Sequence, residues 1–216
     1  MTHKNRVPHL EYEQRLWAAG YRSVAGLDEA GRGAWAGPVV AAAVILPPDV
    51  PDLLQLLSGV RDSKMVGPAK RRLLVDVIRR HAVAMGVGVV PATEIDRHGI
   101  VSATRTAMAW ALQHLNRPVD YLLIDHLGLP DVDLPQHSLP KGDAIVLSIA
   151  CASILAKVTR DRMMIDLEDQ HPGYGFARHK GYGTAQHRAA LENLGPCPIH
   201  RMSFSPLCQP PYTQQG

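Results

Sequence analysis

The stretch AGLDEAGRGAWAGPVVAAAVIL, residues 25–46, sets the fold that we expect for this chain of 216 residues. Two runs of strand-forming residues, VAGLDEA and VVAAAVILP, flank a glycine-rich turn, and this pattern predicts an antiparallel strand pair. Asp28 and Glu29 lie at the end of the first run, beside a turn that lets a ligand come close to the backbone. Adjacent acids are usually solvated, so the rest of the sequence must decide whether this pair has a function.

Downstream of this pair, helical and strand patterns alternate. They predict a helix over 68–81 that begins at Pro68, a third strand over 82–90, and a helix over 92–116 that is interrupted near Gly99. They also predict a strand YLLID, a proline-rich connection, a long helix over 148–170, a basic loop over 173–183, and a last helix capped by Thr184. In the first of these helices we expect one apolar face, formed by Leu73, Leu74, Val77 and Ile78. This order favours an α/β fold with one mixed sheet flanked by helices.

The composition excludes several classes of protein. Apolar residues make up 46% of the chain and charged residues 20%, so a large core is expected and global disorder is not. The formal net charge of +3 is compatible with a phosphate-rich partner. The longest apolar run, Val39 to Leu46, is too short to cross a bilayer, and the first residues lack a signal-peptide pattern. We therefore expect a soluble, cytoplasmic protein whose three cysteines are reduced thiols, with a Cys197–Cys208 disulfide as the alternative.

A second acid lies at the end of a buried strand, because YLLID finishes in Asp125. If both strands are central, their carboxylates lie side by side and repel each other, which raises at least one pKa. A hard divalent cation, Mg²⁺ or Mn²⁺, relieves this repulsion because such ions prefer oxygen ligands. Asp143, in KGD, is a third candidate ligand. Spacing alone leaves open whether these acids hold a metal or simply face water.

The segment GRGAWA also matches the loose dinucleotide pattern G-x-G-x-x-G/A. That pattern requires a helix directly after the glycines, and here Gly37-Pro38 and a strand follow instead. Two acids just upstream would also repel a pyrophosphate, so the sequence excludes a dinucleotide fold. The glycines then serve a tight turn or the close approach of a ligand, and Arg32 lies between them.

The loop GYGFARHKGYG combines basic residues (Arg178, His179, Lys180) with aromatic residues (Tyr174, Phe176, Tyr182). Basic side chains bind phosphates and aromatic faces stack on sugars or bases, although ordinary surface loops have similar compositions. In the long helix, Ser153, Lys157, Arg160 and Asp161 share a polar stripe that we interpret as a solvated face, although Lys157 lies within a mostly apolar stretch. The eleven histidines are scattered without an HxxxH pair, and no G-x-S-x-G motif indicates a serine hydrolase.

Taken together, these segments resemble the ribonuclease HII family, the type 2 ribonucleases H. The opening motif GLDEAGRGAWAGPVVAAAVIL is followed in the family's order by RDSK, YLLID, KGDAIVLSIACASILAKVTRDR, FARHKGYGT and IHRMSFSPL. The resemblance extends from about Val24 to Leu207. It implies a ribonuclease H-like fold, with a mixed central sheet and a helical C-terminal part, in a single catalytic domain over 1–207. We expect residues 208–216 to form a flexible tail.

The resemblance also implies an activity and a set of site residues. The activity is cleavage of RNA within RNA–DNA hybrids, and 5′ of a lone ribonucleotide in duplex DNA, leaving 5′-phosphate and 3′-hydroxyl ends. The implied metal ligands are Asp28, Glu29, Asp125 and Asp143. The implied substrate contacts are Gly31, Arg32 and Gly33 on the 2′-hydroxyl, Tyr182 on the next deoxyribose, and Lys64, Ser153, His179 and Lys180 on phosphates. Two alternatives are a silent hybrid-duplex binder and a metal-dependent phosphatase, and a cleavage assay separates all three.

A few positions depart from the family pattern. His126 follows Asp125 where a small residue is common, Arg61 replaces a frequent asparagine, and Cys151 replaces a typical alanine. None of these departures removes a carboxylate. The tail also lacks the glutamine–aliphatic–aromatic pattern of a sliding-clamp box, so we expect no clamp partner. We further expect a monomer that does not bind a membrane.

Overall fold

The computed structural model describes residues 7–60, 63, 66–210 and 212, which form a mixed sheet covered by helices on both faces. The strands are β1 (Val24–Ala30), β2 (Val39–Ile45), β3 (Ala84–Val90), β4 (Tyr121–Asp125) and β5 (Gln136–Leu139). They lie in the order β3-β2-β1-β4-β5. The pairs β1–β2 and β2–β3 are antiparallel, whereas β1–β4 and β4–β5 are parallel. This confirms the predicted meander and the mixed sheet.

The helices follow the predicted patterns closely. They are α1 (Glu11–Ala18), α2 (Leu53–Leu56), α3 (Pro68–His81), α4 (Ala92–His98), α5 (Ile100–Gln113), α6 (Leu147–Gln170), α7 (Phe176–His179) and α8 (Ala185–Leu194), with a 3₁₀ turn at Gly142–Ala144. Pro68 occupies the first turn of α3, and Gly99 separates α4 from α5. The Thr184 hydroxyl accepts a hydrogen bond from the His187 N–H and caps α8, as predicted.

Strand β2 lies at the centre of the hydrophobic core, and all seven of its residues are buried. Successive side chains of a strand point to opposite faces, so Ala42 and Val44 join the cluster formed with α3 and α6. Ala41 and Ala43 join the cluster formed with α5 on the other face. A strand covered on both faces explains why this segment is continuously apolar.

Helix α6 lies unusually close to β1, and Gly26 makes this approach possible. A Cβ atom at Gly26 would lie 2.3 Å from the carbonyl carbon of Ser148, in the first turn of α6. Any side chain there would push the helix away from the sheet. The contact places the first half of α6 beneath the end of β1, where Asp28 lies.

Four local features differ from the sequence-based expectations. The connection after β4 contains the parallel edge strand β5, and the start of the described chain contains helix α1. Leu73 is 67% exposed, because the buried face of α3 runs through Arg71, Leu74, Val75 and Ile78 instead. The glycine-rich loop also contains the short helix α7.

The C-terminal part of the chain packs as a separate cluster beside the sheet. Leu207 is fully buried in it, and Tyr212 packs against it partly buried. The domain boundary at residue 207 and the flexible tail stay predictions. All three cysteines are free thiols, as expected. Within the described residues no helix combines the length and hydropathy needed to cross a membrane.

Candidate active site

Two neighbouring parallel strands bring Asp28 and Asp125 to the same edge of the sheet. The register pairs Leu27 of β1 with Ile124 of β4, so the next residue on each strand is an aspartate. We call the edge formed by Asp28, Glu29, Asp125 and Asp143 the acid edge. The predicted adjacency of the two carboxylates is therefore confirmed, although β1 continues past Asp28 to Ala30.

The electrostatics of Asp28 show that the other three acids of the edge act on its carboxylate. Asp28 is only 5% exposed. Burial raises its pKa well above the ordinary value, and the negative charges of Glu29, Asp125 and Asp143 raise it further. A hydrogen bond from the Ser153 hydroxyl acts in the opposite direction and lowers the pKa. The acid edge therefore concentrates negative charge around one buried carboxylate, an arrangement that a cation would stabilise.

Asp125 is held by the backbone of the turn that carries Asp143. The Gly142 N–H donates to Asp125 Oδ1 over 2.6 Å, and Asp143 is the next residue in the 3₁₀ turn. His126, directly after Asp125, is exposed and has a left-handed backbone with a φ of 60°. The carboxylate of Asp125 is thus fixed in place, while the His126 ring faces outward.

Glu29 is held by the neighbouring glycine-rich turn, where Arg32 Nη1 lies 3.2 Å from Glu29 Oε1. In the part of the chain that the structure describes, no three His, Cys, Asp or Glu side chains form a group with the geometry of a metal site. The acid edge thus provides oxygen ligands of the correct chemistry, which would still have to converge on an ion. The predicted phosphate contact Lys64 lies outside the described residues.

The glycine loop, residues 31–37, follows the acid edge directly. Gly31 has a φ of +96°, and a Cβ atom there would lie 2.0 Å from Arg160 Nε. The backbone conformation and the packing against Arg160 therefore require glycine at this position. Gly33 is different, because it is exposed and a Cβ atom would meet no atom within 4 Å. Packing inside the protein therefore does not require glycine at position 33.

Arg160 joins the glycine loop to the aromatic loop, residues 173–183. Its guanidinium donates to the carbonyl oxygens of Pro38 at 2.8 Å, Ala36 at 3.0 Å and Lys180 at 2.9 Å. The side chain is fully buried, and burial lowers the pKa of the guanidinium. The solvated polar stripe expected on α6 is therefore wrong at this position, because Arg160 satisfies buried carbonyl groups of two loops.

A second buried arginine, Arg201, supports the glycine loop from the C-terminal segment. Its side chain donates to the carbonyl oxygens of Gly37 at 3.0 Å and Arg32 at 2.9 Å, and its backbone N–H donates to Trp35. Burial, followed by repulsion from Arg160, lowers the pKa of Arg201 to about 9. Two buried cations thus hold the glycine loop entirely through its carbonyl groups.

Tyr182 lies at the end of the aromatic loop, half-buried beside these cations. The Lys157 Nζ atom and the Arg160 guanidinium carbon each lie 5.4 Å from the centre of its ring. Lys157 also pairs with Asp161 at 2.7 Å. Tyr182 is therefore placed next to the glycine loop with part of its ring open to solvent. Of the remaining polar stripe, Lys157 and Asp161 line a groove.

This groove, of about 940 Å³, runs between α3, α6 and the aromatic loop. Three aspartates and seven cationic side chains line it; the cations are Arg71, Arg72, Arg79, Lys157, Arg162, Arg178 and Lys180. Such an excess of cations suits a polyanionic backbone. The Lys180 ammonium is half-buried and donates to the Ala177 carbonyl oxygen, and burial lowers its pKa.

Two predicted phosphate contacts have buried surroundings. Both ring nitrogens of His179 are occupied, since Nε2 lies 2.8 Å from the Tyr174 carbonyl oxygen and Nδ1 accepts from the Gly181 N–H. Ser153 is 4% exposed and bonds to Ser63 Oγ at 3.0 Å as well as to Asp28. These surroundings favour structural support of the loop and of Asp28 over direct contact with a phosphate.

Three residues that frame the site gave no clear signal in the sequence. Arg201, His187 and His200 are buried, and each bonds to a partner on a distant segment or to the backbone of one of the two loops. A charged residue within a mostly apolar stretch was the only sign of this kind in the sequence, and it pointed to Lys157 rather than to these three.

Comparisons with known proteins identify the family of this chain. The family model described as Ribonuclease HII matches residues 25–207. The ribonuclease HII of Roseiflexus castenholzii is 57% identical over 205 residues, which covers 95% of this chain and 92% of that protein.

Two solved structures show the same fold. The ribonuclease H2 of Pyrococcus horikoshii has a TM-score of 0.71 at 26% identity, covering 86% of this chain and 95% of that one. The ribonuclease HII of Archaeoglobus fulgidus, solved in complex with PCNA, has a TM-score of 0.69 at 27% identity, covering 83% and 92%. The chain therefore belongs to the ribonuclease HII family and is a ribonuclease H, an endonuclease of a divalent-metal-dependent family that acts on RNA–DNA hybrids.

Proposed function

We propose that this enzyme cuts 5′ of single ribonucleotides embedded in duplex DNA, as well as within continuous RNA–DNA hybrids, and leaves 5′-phosphate and 3′-hydroxyl ends. The observation that carries the proposal is the direct link between the two loops beside the acid edge. Arg160 donates to carbonyl oxygens of Ala36 and Lys180, so both loops have a fixed spacing. A site that recognises a junction between two kinds of sugar needs two contacts at such a fixed spacing.

The glycine loop is the element that we assign to the ribonucleotide. A 2′-hydroxyl distinguishes RNA from DNA because it both donates and accepts hydrogen bonds. Gly31, Arg32 and Gly33 follow the acid edge directly, and the open surroundings of Gly33 support a close approach of the sugar to the backbone. Arg32 also holds Glu29, which couples the assigned ribose contact to the acid edge.

Tyr182 is the residue that we assign to the following deoxyribose. Its ring offers a flat face beside Lys157 and Arg160. A ribose at that position would bring a 2′-hydroxyl against the ring, so an RNA-to-DNA junction suits the site best. The cationic groove then binds phosphates of the duplex that are remote from the scissile bond, and Lys180 forms one of these contacts.

Asp28, Glu29, Asp125 and Asp143 are the residues that we assign as ligands of Mg²⁺ or Mn²⁺. The charge concentrated on buried Asp28 and the all-oxygen donor set fit such a hard cation. When bound, divalent ions supply a water nucleophile at neutral pH and stabilise charge on the phosphate oxygens. The Ser153 hydroxyl and the Gly142 N–H orient the carboxylates of Asp28 and Asp125 in advance.

Neither a sliding clamp nor a second copy of the chain forms part of this proposal. PCNA is bound in the Archaeoglobus fulgidus structure, whereas residues 208–216 of this chain lack the glutamine–aliphatic–aromatic pattern. A monomer acting in the cytoplasm on the duplex alone stays our prediction.

The test is single-turnover cleavage of a duplex with one embedded ribonucleotide, beside a continuous RNA–DNA hybrid, with Mg²⁺ or Mn²⁺. Tyr182→Ala should lose rate on the one-ribonucleotide duplex more than on the hybrid, while Tyr182→Phe, which keeps the ring, should retain the preference. Tyr121→Ala is the matched control, since Tyr121 packs on Tyr21 at the opposite end of β4 from Asp125. Equal losses on both substrates would contradict the assignment of Tyr182 to the junction.

A further inference from the structure

Two buried histidines connect helix α8 to the segment before Arg201. His187 is fully buried and His200 is 2% exposed, and their Nε2 atoms lie 3.0 Å apart. The proposed function leaves both unused. Buried imidazoles that face each other at this distance share one proton in a hydrogen bond, so one ring must donate and the other accept.

The surrounding partners decide which ring donates. His187 Nδ1 lies 3.1 Å from the Tyr182 carbonyl oxygen, which can only accept, so Nδ1 must carry the proton of a neutral ring. Nε2 of His187 is then bare and accepts from His200 Nε2–H. His200 Nδ1 is bare in turn and accepts from the Cys197 N–H at 2.9 Å. The opposite arrangement would point a bare nitrogen at the Tyr182 carbonyl oxygen.

This chain of hydrogen bonds reaches both loops beside the acid edge. At one end it holds the Tyr182 carbonyl group, which also accepts from the Thr184 N–H at 2.8 Å. At the other end His200 pairs with Ala36 of the glycine loop in a β-bridge. The next residue, Arg201, bonds to carbonyl groups of the same loop. The pair therefore couples the aromatic loop to the glycine loop through a route that does not involve Arg160.

We infer that His187 and His200 are positioning residues, a neutral hydrogen-bonded pair that sets the place of Tyr182 relative to the glycine loop and thereby the preference for an RNA-to-DNA junction. This inference rests on the proposed function, because it needs Tyr182 to contact the deoxyribose. Neither ring touches the substrate in this assignment, since both are buried beneath the loops.

The surroundings keep both rings neutral. Burial lowers the pKa of His187 to about 4, with a smaller contribution from His179, which stacks on it at 4.5 Å. Burial and the neighbouring His187 lower the pKa of His200 to about 4, with His171 and His179 adding repulsion. Tyr174, Phe176, Trp35 and Cys197 complete the surroundings of the pair. The proton arrangement deduced above is therefore the one that exists at neutral pH.

Two substitutions of nearly equal polarity separate positioning from general stability. In His187→Asn, the side-chain amide nitrogen can occupy the position of Nδ1 and donate to the Tyr182 carbonyl oxygen. In His187→Gln, the amide occupies the position of Nε2, and the hydrogen bond to the Tyr182 carbonyl oxygen is lost. The readout is the ratio of single-turnover rates on the one-ribonucleotide duplex and the continuous hybrid. We expect about a tenfold fall of the ratio in His187→Gln, the equivalent of one hydrogen bond, and a ratio close to the unmodified one in His187→Asn.

The matched control is His114→Gln, because His114 also bonds to a carbonyl oxygen, that of Val87, but lies exposed at the end of α5. The inference is overturned if His187→Gln keeps the ratio or if the two variants lose it equally. If the ratio of rates falls in Tyr182→Ala but is unchanged in His187→Gln, the inference fails and the proposed function stands. If Tyr182→Ala keeps the ratio, the proposed function fails and the inference falls with it.

A spectroscopic measurement tests the pair independently of cleavage. Imidazole nitrogen chemical shifts at neutral pH should show His187 protonated on Nδ1 and His200 on Nε2, assigned by the loss of signals in His187→Asn and His200→Asn. Both rings should stay neutral well below the ordinary histidine pKa. Protonation of His187 on Nε2, or titration of either ring near the ordinary histidine pKa, would overturn the inference.

Discussion

The acid edge and the two loops beside it form one site but are held in different ways. The acid edge is a property of the sheet, because β1 and β4 are parallel neighbours whose register places Asp28, near the end of β1, beside Asp125, the last residue of β4. The loops have no such frame. Their carbonyl groups are held by the buried side chains Arg160, Arg201 and His187. The two arginines lie more than a hundred residues from the glycine-loop segment that they hold.

This difference separates the chemistry from the recognition. A carboxylate at the end of a strand keeps its place as long as the sheet persists, so substitutions there should change reactivity and leave the fold intact. A loop held by buried cations depends on each donor, because an unpaired buried carbonyl group costs about 1–3 kcal/mol. Substitutions of those donors should change stability and selectivity together.

The largest effect is expected at the acid edge. Asp28→Asn and Asp125→Asn should each lower the cleavage rate on the order of a thousandfold, or about 4 kcal/mol, because each removes a charge needed for metal binding. Single-turnover rates at saturating Mg²⁺ or Mn²⁺ measure this loss. Asp133→Asn, an exposed aspartate in the connection between β4 and β5, is the control. A near-normal rate in either variant would mean that the site lies elsewhere.

The same substitution of Asp28 should have the opposite effect on stability. Its folded-state pKa is raised, so its stabilising contribution is complete below the ordinary aspartate pKa and is lost as the pH rises through the folded value. Without divalent ions, Asp28→Asn should therefore unfold at a higher denaturant concentration than the unmodified protein at neutral pH, and the difference should shrink towards acid. Equal stability of the two proteins at all pH values would contradict the charge concentration on Asp28.

Arg160→Lys should produce the next largest effect, and it should change both the stability and the substrate preference. A lysine keeps the charge but cannot donate to the three carbonyl groups of Pro38, Ala36 and Lys180 in their fixed directions. We expect a loss of about 3 kcal/mol in the free energy of unfolding and a reduced preference for the one-ribonucleotide duplex. Arg162→Lys, exposed on the same helix, should change the free energy of unfolding little. If Arg160→Lys matches Arg162→Lys in stability, the two loops are not held as we describe.

The same difference explains what the sequence could predict. The helices α3 and α5 have hydrophobic periodicity, whereas the strands and the first half of α6 are recognisable as apolar runs. Both kinds of pattern depend only on nearby residues. The adjacency of Asp28 and Asp125 followed from two strands that end in acids. Strand β5 (QHSL) was missed because an edge strand with polar residues has no such pattern.

The supports of the loops could not be predicted from the sequence for a physical reason. Arg160 bonds to carbonyl groups more than a hundred residues away, and backbone carbonyl groups are identical at every position, so no residue type marks the partner. The polar stripe on α6 looks the same whether it faces water or a buried backbone. The pairing of His187 with His200 likewise depends on the tertiary contact of α8 with the following segment, which no spacing rule for histidines indicates.

A smaller effect is expected at Gly33, where the structure separates folding from recognition. A methyl group at this position meets no atom within 4 Å, so Gly33→Ala should fold with nearly unchanged stability. If the ribose approaches this backbone closely, the methyl group should lower the cleavage rate about tenfold, a clash of roughly 1–3 kcal/mol. Gly67→Ala is the matched control, because its surroundings are equally open and it lies at the start of α3. An unchanged rate in Gly33→Ala would place the sugar contact elsewhere.

The smallest effect is expected at Lys180, which belongs to the loop side of the comparison but faces the groove. Lys180→Ala should weaken binding of a hybrid duplex and lower the slope of log affinity against log salt concentration by about one, since one phosphate contact releases about one counterion. The measurement is a salt titration of binding to a hybrid in Ca²⁺ or without divalent ions, so that cleavage does not interfere. Lys70→Ala removes an exposed lysine of α3 that does not line the groove, and it should leave the slope unchanged.

Because the Lys180 ammonium already bonds to the Ala177 carbonyl oxygen, its contact with phosphate requires that bond to break or to be shared. A slope that is equal in Lys180→Ala and Lys70→Ala would show that the ammonium stays on the backbone and supports the aromatic loop, which would move it from the substrate contacts to the supports formed by Arg160 and Arg201.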